Sequence, residues 1–134
     1  MNNSIFIDSN ICVYAFDKTD MRKTHKALDL ISLSPAISPQ VIIETYNACY
    51  RKLKLPQEVC EENTLFLCDI TEVFPIDADV FRTAVKIKKK YGFSFLDSCI
   101  VASAYRANCS ILYSEDMQHN LIVENTLTIM NPFA

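Results

Sequence analysis

Short apolar runs alternate along the chain with longer stretches whose apolar residues recur at helical spacing. The run Ser4-Ile5-Phe6-Ile7 closes on Asp8 and predicts a first strand, Ile5–Asp8, followed directly by a short helix, Asn10–Phe16. Lys18–Asp20 is a polar break. Met21–Leu33 reads as a helix, with Ala27, Leu28, Leu30 and Ile31 among its apolar positions. Ser34-Pro35 interrupts it, and Ala36-Ile37 is a very short strand. Ser38 before Pro39 is a helix-start signal: a hydroxyl can cap, and proline's missing N–H costs nothing at the first helical position. That helix runs to about Leu53, and Ile42, Tyr46, Cys49 and Leu53 predict one buried stripe.

Pro56 opens the next helix, to about Cys68. Val73-Phe74-Pro75-Ile76 is a short strand whose proline points to an edge or a strand end. Asp77 caps a helix over Ala78–Tyr91. Its Phe81, Ala84, Val85 and Lys88 share one face, which Val80, Ile87 and Tyr91 widen. Gly92, the single glycine, follows the lysine-rich turn Lys88-Lys89-Lys90 as a C-cap. Ser94 caps a helix over Phe95–Arg106. Ser110–Tyr113 and Leu127–Met130 are the last strands. Strands alternating with helices predict an α/β fold, a three-layer α/β/α sandwich around a mostly parallel sheet. A chain with one glycine has no phosphate-cradling loop, which excludes P-loop and Rossmann fingerprints.

The 134 residues are read as one domain, 1–134, long enough to bury a core. A net charge of −3 argues against a general nucleic-acid coat, though not against a local basic path. Arg51, Lys52 and Lys54 form one basic group, and Lys86, Lys88, Lys89 and Lys90 another. They are either solvated helix ends or phosphate contacts. The six cysteines, Cys12, Cys49, Cys60, Cys68, Cys99 and Cys109, form no C-x-x-C pair. They read as small buried hydrophobes in a reducing compartment. With no signal-peptide pattern and no apolar stretch near the ~20 residues of a membrane span, a cytoplasmic protein is expected.

Four acids fall where strands end or helices begin: Asp8, Glu44, Asp97 and Asp116. Strand carboxyl ends of an open parallel sheet share one edge, where ligands bind. Four carboxylates gathered there repel one another unless a cation joins them. Each acid also has a plain structural reading. Asp8 can cap the first helix. Ser94 and Asp97 match a capping box. Asp116 can cap a turn, and Glu44 can be a solvated helix residue. Glu115 is expected to face solvent, since only one of two neighbours can point into a given pocket. Ser9, Asn10 and Ser114 can hydrogen-bond to the acids. His25 and His119 are poor candidates for catalysis.

Four segments together resemble the PIN-domain nucleases, and within them the VapC-type toxin ribonucleases of toxin–antitoxin pairs. Ile5-Phe6-Ile7-Asp8-Ser9-Asn10 resembles an apolar strand ending in Asp-(Thr/Ser)-Asn. Ser38 to Glu44 resembles the helix that carries the family's glutamate. Phe95 to Ala104 resembles an Asp followed by a small-residue helix, and Leu112 to Met117 the fourth motif. The resemblance spans essentially the whole chain. One departure is Asn120, where relatives commonly have glycine; Asn tolerates a left-handed backbone better than most residues.

The resemblance implies a Mg²⁺- or Mn²⁺-dependent endoribonuclease. Asp8 and Asp97 would be the principal metal ligands, with Asp116 completing the shell or holding a water. Glu44 would orient or deprotonate the attacking water, and Asn10 and Ser114 would support. It also implies an RNA substrate, a cognate antitoxin in the active-site groove, and a homodimer. Two alternatives stand beside it. One is a non-catalytic PIN-like module that binds RNA or protein. The other is a receiver or phosphatase-like domain, disfavoured because Asn10 stands where such phosphatases need a second Asp.

Overall fold

The computed structural model describes residues 4–134. Its elements run β1 (Ile5–Ile7), α1 (Ser9–Phe16), α2 (Met21–Ile31), β2 (Ala36–Ile37), α3 (Pro39–Arg51), α4 (Gln57–Ile70), β3 (Glu72–Val73), α5 (Ala78–Tyr91), α6 (Phe95–Arg106), β4 (Ile111–Tyr113), β5 (Ile122–Val123) and β6 (Leu127–Met130). The strands form one sheet in the order β3-β2-β1-β4-β6-β5. Neighbours are parallel except β5, which is antiparallel to β6. Helices flank this sheet in the three-layer α/β/α sandwich that the alternation predicts.

The central strands are short and largely buried. Phe6, Ile7, Leu112 and Ile129 are fully buried, the continuous apolar pattern of a covered parallel sheet. Register places Ile7 beside Tyr113, and Tyr113 beside Met130. The residues after these strands therefore emerge side by side. α6 lies deepest among the helices: Ser98 through Ala104 are all buried. Its small residues allow that close approach. α1 packs on α2 and α3, α3 on α4, and α5 on α6.

Tertiary packing overrode two periodicities. On α3 the buried line is Val41, Thr45 and Cys49, while Ile42 and Tyr46 are half-buried and Leu53 lies beyond the helix. The helix is wedged between α1 and α4, which rotates its buried face. On α5 the buried residues are Val80, Ala84 and Ile87, whereas Phe81 and Val85 stay 45% and 42% exposed. The sequence carries two overlapping apolar faces there, and α6 covers one of them.

The caps follow local chemistry. Asp77 accepts from the Val80 N–H at 3.0 Å, and Gly92 ends α5 at φ 82°. Ser38 occupies the N-cap of α3 but makes no capping bond; its hydroxyl is buried without a hydrogen-bond partner. Asn120 is left-handed at φ 69°, as its place in a glycine-favouring turn predicts. The β5–β6 hairpin was not legible. Its turn holds Glu124 and Asn125 at φ 51° and 61°, a primed turn without its usual glycine. All six cysteines are free thiols, and only Cys68 is exposed. Among the described residues no helix is long and apolar enough to cross a membrane.

Candidate functional site

Asp8 leaves β1 still in sheet pairing, its N–H donating to the Tyr113 carbonyl at 3.0 Å. Its side chain then caps α1, Oδ1 accepting from the Ser9 N–H at 2.7 Å. Oδ2 accepts from Ser114 Oγ at 2.9 Å. Asp8 is only 5% exposed. Burial, helped by Glu44 and Asp97, raises its pKa to about 6 despite the bonds from Ser114 and Ser9. Capping and membership of the acidic group thus coexist in one residue.

The buried Ser114 hydroxyl is a junction. It donates to Asp8, accepts from the Asp116 N–H at 3.3 Å, and lies 3.4 Å from Asn10 Nδ2. One donor and two lone pairs are thereby used. Asn10 Nδ2 also donates to Asp116 Oδ2 at 3.1 Å and reaches Asp8 Oδ2 at 3.5 Å. Asp116 itself is exposed.

Glu44 is half-buried rather than solvated, and both its oxygens are engaged. Oε1 accepts from Ser9 Oγ at 2.8 Å, and Oε2 from Gln40 Nε2 at 3.0 Å. Gln40 Nε2 also reaches the Leu96 carbonyl at 3.0 Å, tying α3 to the start of α6. Gln40 was missed in the sequence, although it stands four residues before Glu44 on the same helix face. Asp97 lies in the first turn of α6, where its N–H donates to Ser94 Oγ at 3.1 Å. Burial raises its pKa, with Asp116 and Glu44 adding to the rise. The four acids therefore share one electrostatic environment.

Glu115 departs from expectation. It is half-buried and bonded to Lys23 and Tyr14, two partners with no signal in the sequence. His119 sits in a turn, Nδ1 accepting from the Asn131 N–H at 2.9 Å, and His25 is exposed. A cleft of about 1320 Å³ opens from Ser9, Asn10 and Asp116 along α1 to the α3–α4 turn. Its walls include Val13, Phe16, Leu53 and Phe66, and Lys18 and Lys52 also line it. Of the two basic groups, only Lys52 reaches this cleft. Lys90 instead pairs with Glu124 at 2.6 Å.

The PIN domain family model matches residues 5–122. The chain belongs to the PIN-domain family. No curated protein sequence matches it. Several solved structures share its fold. VapC20 of Mycobacterium tuberculosis, a sarcin-ricin loop cleaving toxin, is 20% identical, with 84% of this chain and 90% of that chain covered and a TM-score of 0.69. A toxin–antitoxin complex from Klebsiella pneumoniae is 17% identical, with 96% and 98% covered and a TM-score of 0.72. VapBC2 from Rickettsia felis, bound to a promoter DNA fragment, is 19% identical, with 95% and 97% covered and a TM-score of 0.71.

The acids of this PIN domain suit a divalent cation chemically. All four offer hard oxygen donors. Among the described residues none of the four is in an ion pair with a lysine, arginine or histidine, so only hydrogen bonds offset their mutual repulsion. Among the same residues, no three acidic, histidine or cysteine side chains form a ready-made metal cage. Mg²⁺ does not require one: it keeps several waters and needs only one or two direct carboxylates.

Proposed function

We propose that this PIN domain is a Mg²⁺- or Mn²⁺-dependent endoribonuclease, the toxin of a toxin–antitoxin pair. The observation that supports the reading is the hydrogen-bond network through Ser9, Asn10 and Ser114 that links Asp8, Glu44 and Asp116, with Asp97 near enough to help raise the Asp8 pKa. Among the described residues none of the four acids is in an ion pair. Asp8 and Asp97 are the principal metal ligands, and Asp116 completes the set or holds a water. When bound, the cation lowers the pKa of water and offsets charge that builds on the phosphate.

The chain's own groups do the rest. Ser9 and Ser114 fix the rotamer of Asp8 from opposite oxygens. Asn10 aims Asp116. Ser9 and Gln40 hold Glu44 from both sides, which suits it to orient an attacking water and take its proton. The RNA backbone lies along the cleft, with Lys18 and Lys52 as its phosphate contacts. A cognate antitoxin covering the acids and a homodimer in the cytoplasm complete the proposal. The toxin–antitoxin complexes among its fold relatives support the antitoxin.

The test is cleavage of total cellular RNA by purified protein with Mg²⁺, Mn²⁺ or EDTA, beside Asp97→Asn. Discrete, metal-dependent fragments are expected, reduced by about 100-fold or more in the variant. No cleavage by folded, metal-supplied, antitoxin-free protein would overturn the nuclease and favour a binding module.

A further inference from the structure

Glu115 and Asp116 are neighbours in the loop after β4, yet only Asp116 joins the acidic group. A clamp built from three other segments turns Glu115 away. Lys23 Nζ, from α2, donates to Glu115 Oε2 at 2.5 Å and to Tyr14 OH at 3.2 Å. Tyr14 OH, from α1, donates to Glu115 Oε1 at 2.6 Å. The same ammonium lies 4.7 Å from the Tyr14 ring centroid and 5.1 Å from that of Phe133, near the C-terminus. Those two rings meet edge to face at 5.2 Å. Lys23 and Glu115 side chains are 22% and 24% exposed. Both Glu115 oxygens and the lysine charge are therefore used at once, unlike the usual loose surface pair.

The clamp reaches the acids through the backbone. The Glu115 N–H donates to Asn10 Oδ1 at 3.3 Å. With its oxygen so engaged, Asn10 turns its NH₂ toward Asp116, Ser114 and Asp8. A flipped amide would set an oxygen against two carboxylates. We propose that Lys23 is a positioning residue for the acidic site: through Glu115 it fixes the loop that orients Asn10 and Asp116. Without Lys23, Glu115 loses its ion pair and keeps only the Tyr14 hydroxyl on one oxygen, which leaves an uncompensated negative charge beside Asp116 and loosens the loop. This inference rests on the metal reading above, but its measurements need no RNA.

The experiment compares wild type, Lys23→Met, Lys23→Arg and Glu115→Gln as full chains. Mn²⁺ affinity is read from the electron paramagnetic resonance of free Mn²⁺. The Asn10 side-chain amide is read by ¹⁵N–¹H NMR in metal-free protein. Lys23→Met is expected to weaken Mn²⁺ binding by about 10-fold and to move the Asn10 amide signals toward those of a solvent-exposed amide. Lys23→Arg is expected to restore both. Should Lys23→Met fail to fold, Glu115→Gln, which keeps shape and removes charge, carries the same two measurements with a smaller expected loss. A folded Lys23→Met with wild-type Mn²⁺ affinity overturns the proposal, whatever the amide signals do. Wild type that binds no Mn²⁺ overturns the metal reading and this proposal together. Wild type that binds Mn²⁺ but cuts no RNA overturns only the nuclease.

Discussion

Asp8 shows how a single side chain can be set against its own fold. Its carboxylate is buried beside other acids, and its pKa stands at about 6 instead of the ordinary 3.8. A group with a raised folded-state pKa contributes full stability below its unfolded value and loses it as pH rises through the folded value. The metal-free protein should therefore lose stability between about pH 4 and 6, by up to about 3 kcal/mol from this group alone. Asp8→Asn removes the charge and still accepts from the Ser9 N–H. At pH 7 it should stabilise the metal-free fold by about 1–3 kcal/mol, and at pH 4 by much less. Urea unfolding at both pH values decides this; destabilisation at pH 7 would mean that the hydrogen bonds from Ser114 and Ser9 outweigh burial.

At the scale of elements, the ends of α5 and the start of α6 were the most legible features, because their physics is confined to a few residues. Asp77, Gly92 and Ser94 all stand where local signals predict. Gly92 is left-handed, and a Cβ added there meets nothing within 4 Å. Gly92→Ala should thus cost about 1 kcal/mol, all of it backbone strain. An unchanged urea midpoint would show that α5 can end another way. Helix faces were less legible. The stripe on α3 and the Phe81–Val85 face of α5 both followed sequence periodicity, yet a neighbouring helix selected a different line. The β5–β6 hairpin went unread because Glu124 and Asn125 hold left-handed backbone without glycine.

Over the whole molecule, the parallel register of β1, β4 and β6 brings their carboxyl ends to one edge, where Asp8 and Asp116 emerge after β1 and β4, while Glu44 and Asp97 come from α3 and α6. Gathering carboxylates that only hydrogen bonds offset among the described residues works against the metal-free fold, so a cation that binds only the folded state should relieve it. Mn²⁺ at about 100 times its dissociation constant should stabilise the protein by about 2.7 kcal/mol, seen as a raised melting temperature. In Asp8→Asn that gain should shrink, because one ligand charge is gone. A melting temperature indifferent to Mn²⁺ in wild type would show that the acids hold no cation in the folded state.

The order of strands and helices apart from β5, the placement of Asp8, Asp97 and Asp116 at strand ends and a helix start, Glu44 on the helix opened by Pro39, and the four-segment resemblance were all present in the sequence. Propensity, capping and apolar spacing act over a few residues, and a linear reading captures them. Only the tertiary structure decided that Glu44 is held by Ser9 and Gln40 and that Lys18 joins Lys52 along the cleft. It also decided that Glu115 turns from solvent to Lys23 and Tyr14. Many of these partners lie far apart along the chain. Their meeting depends on how the layers pack, which no local pattern encodes.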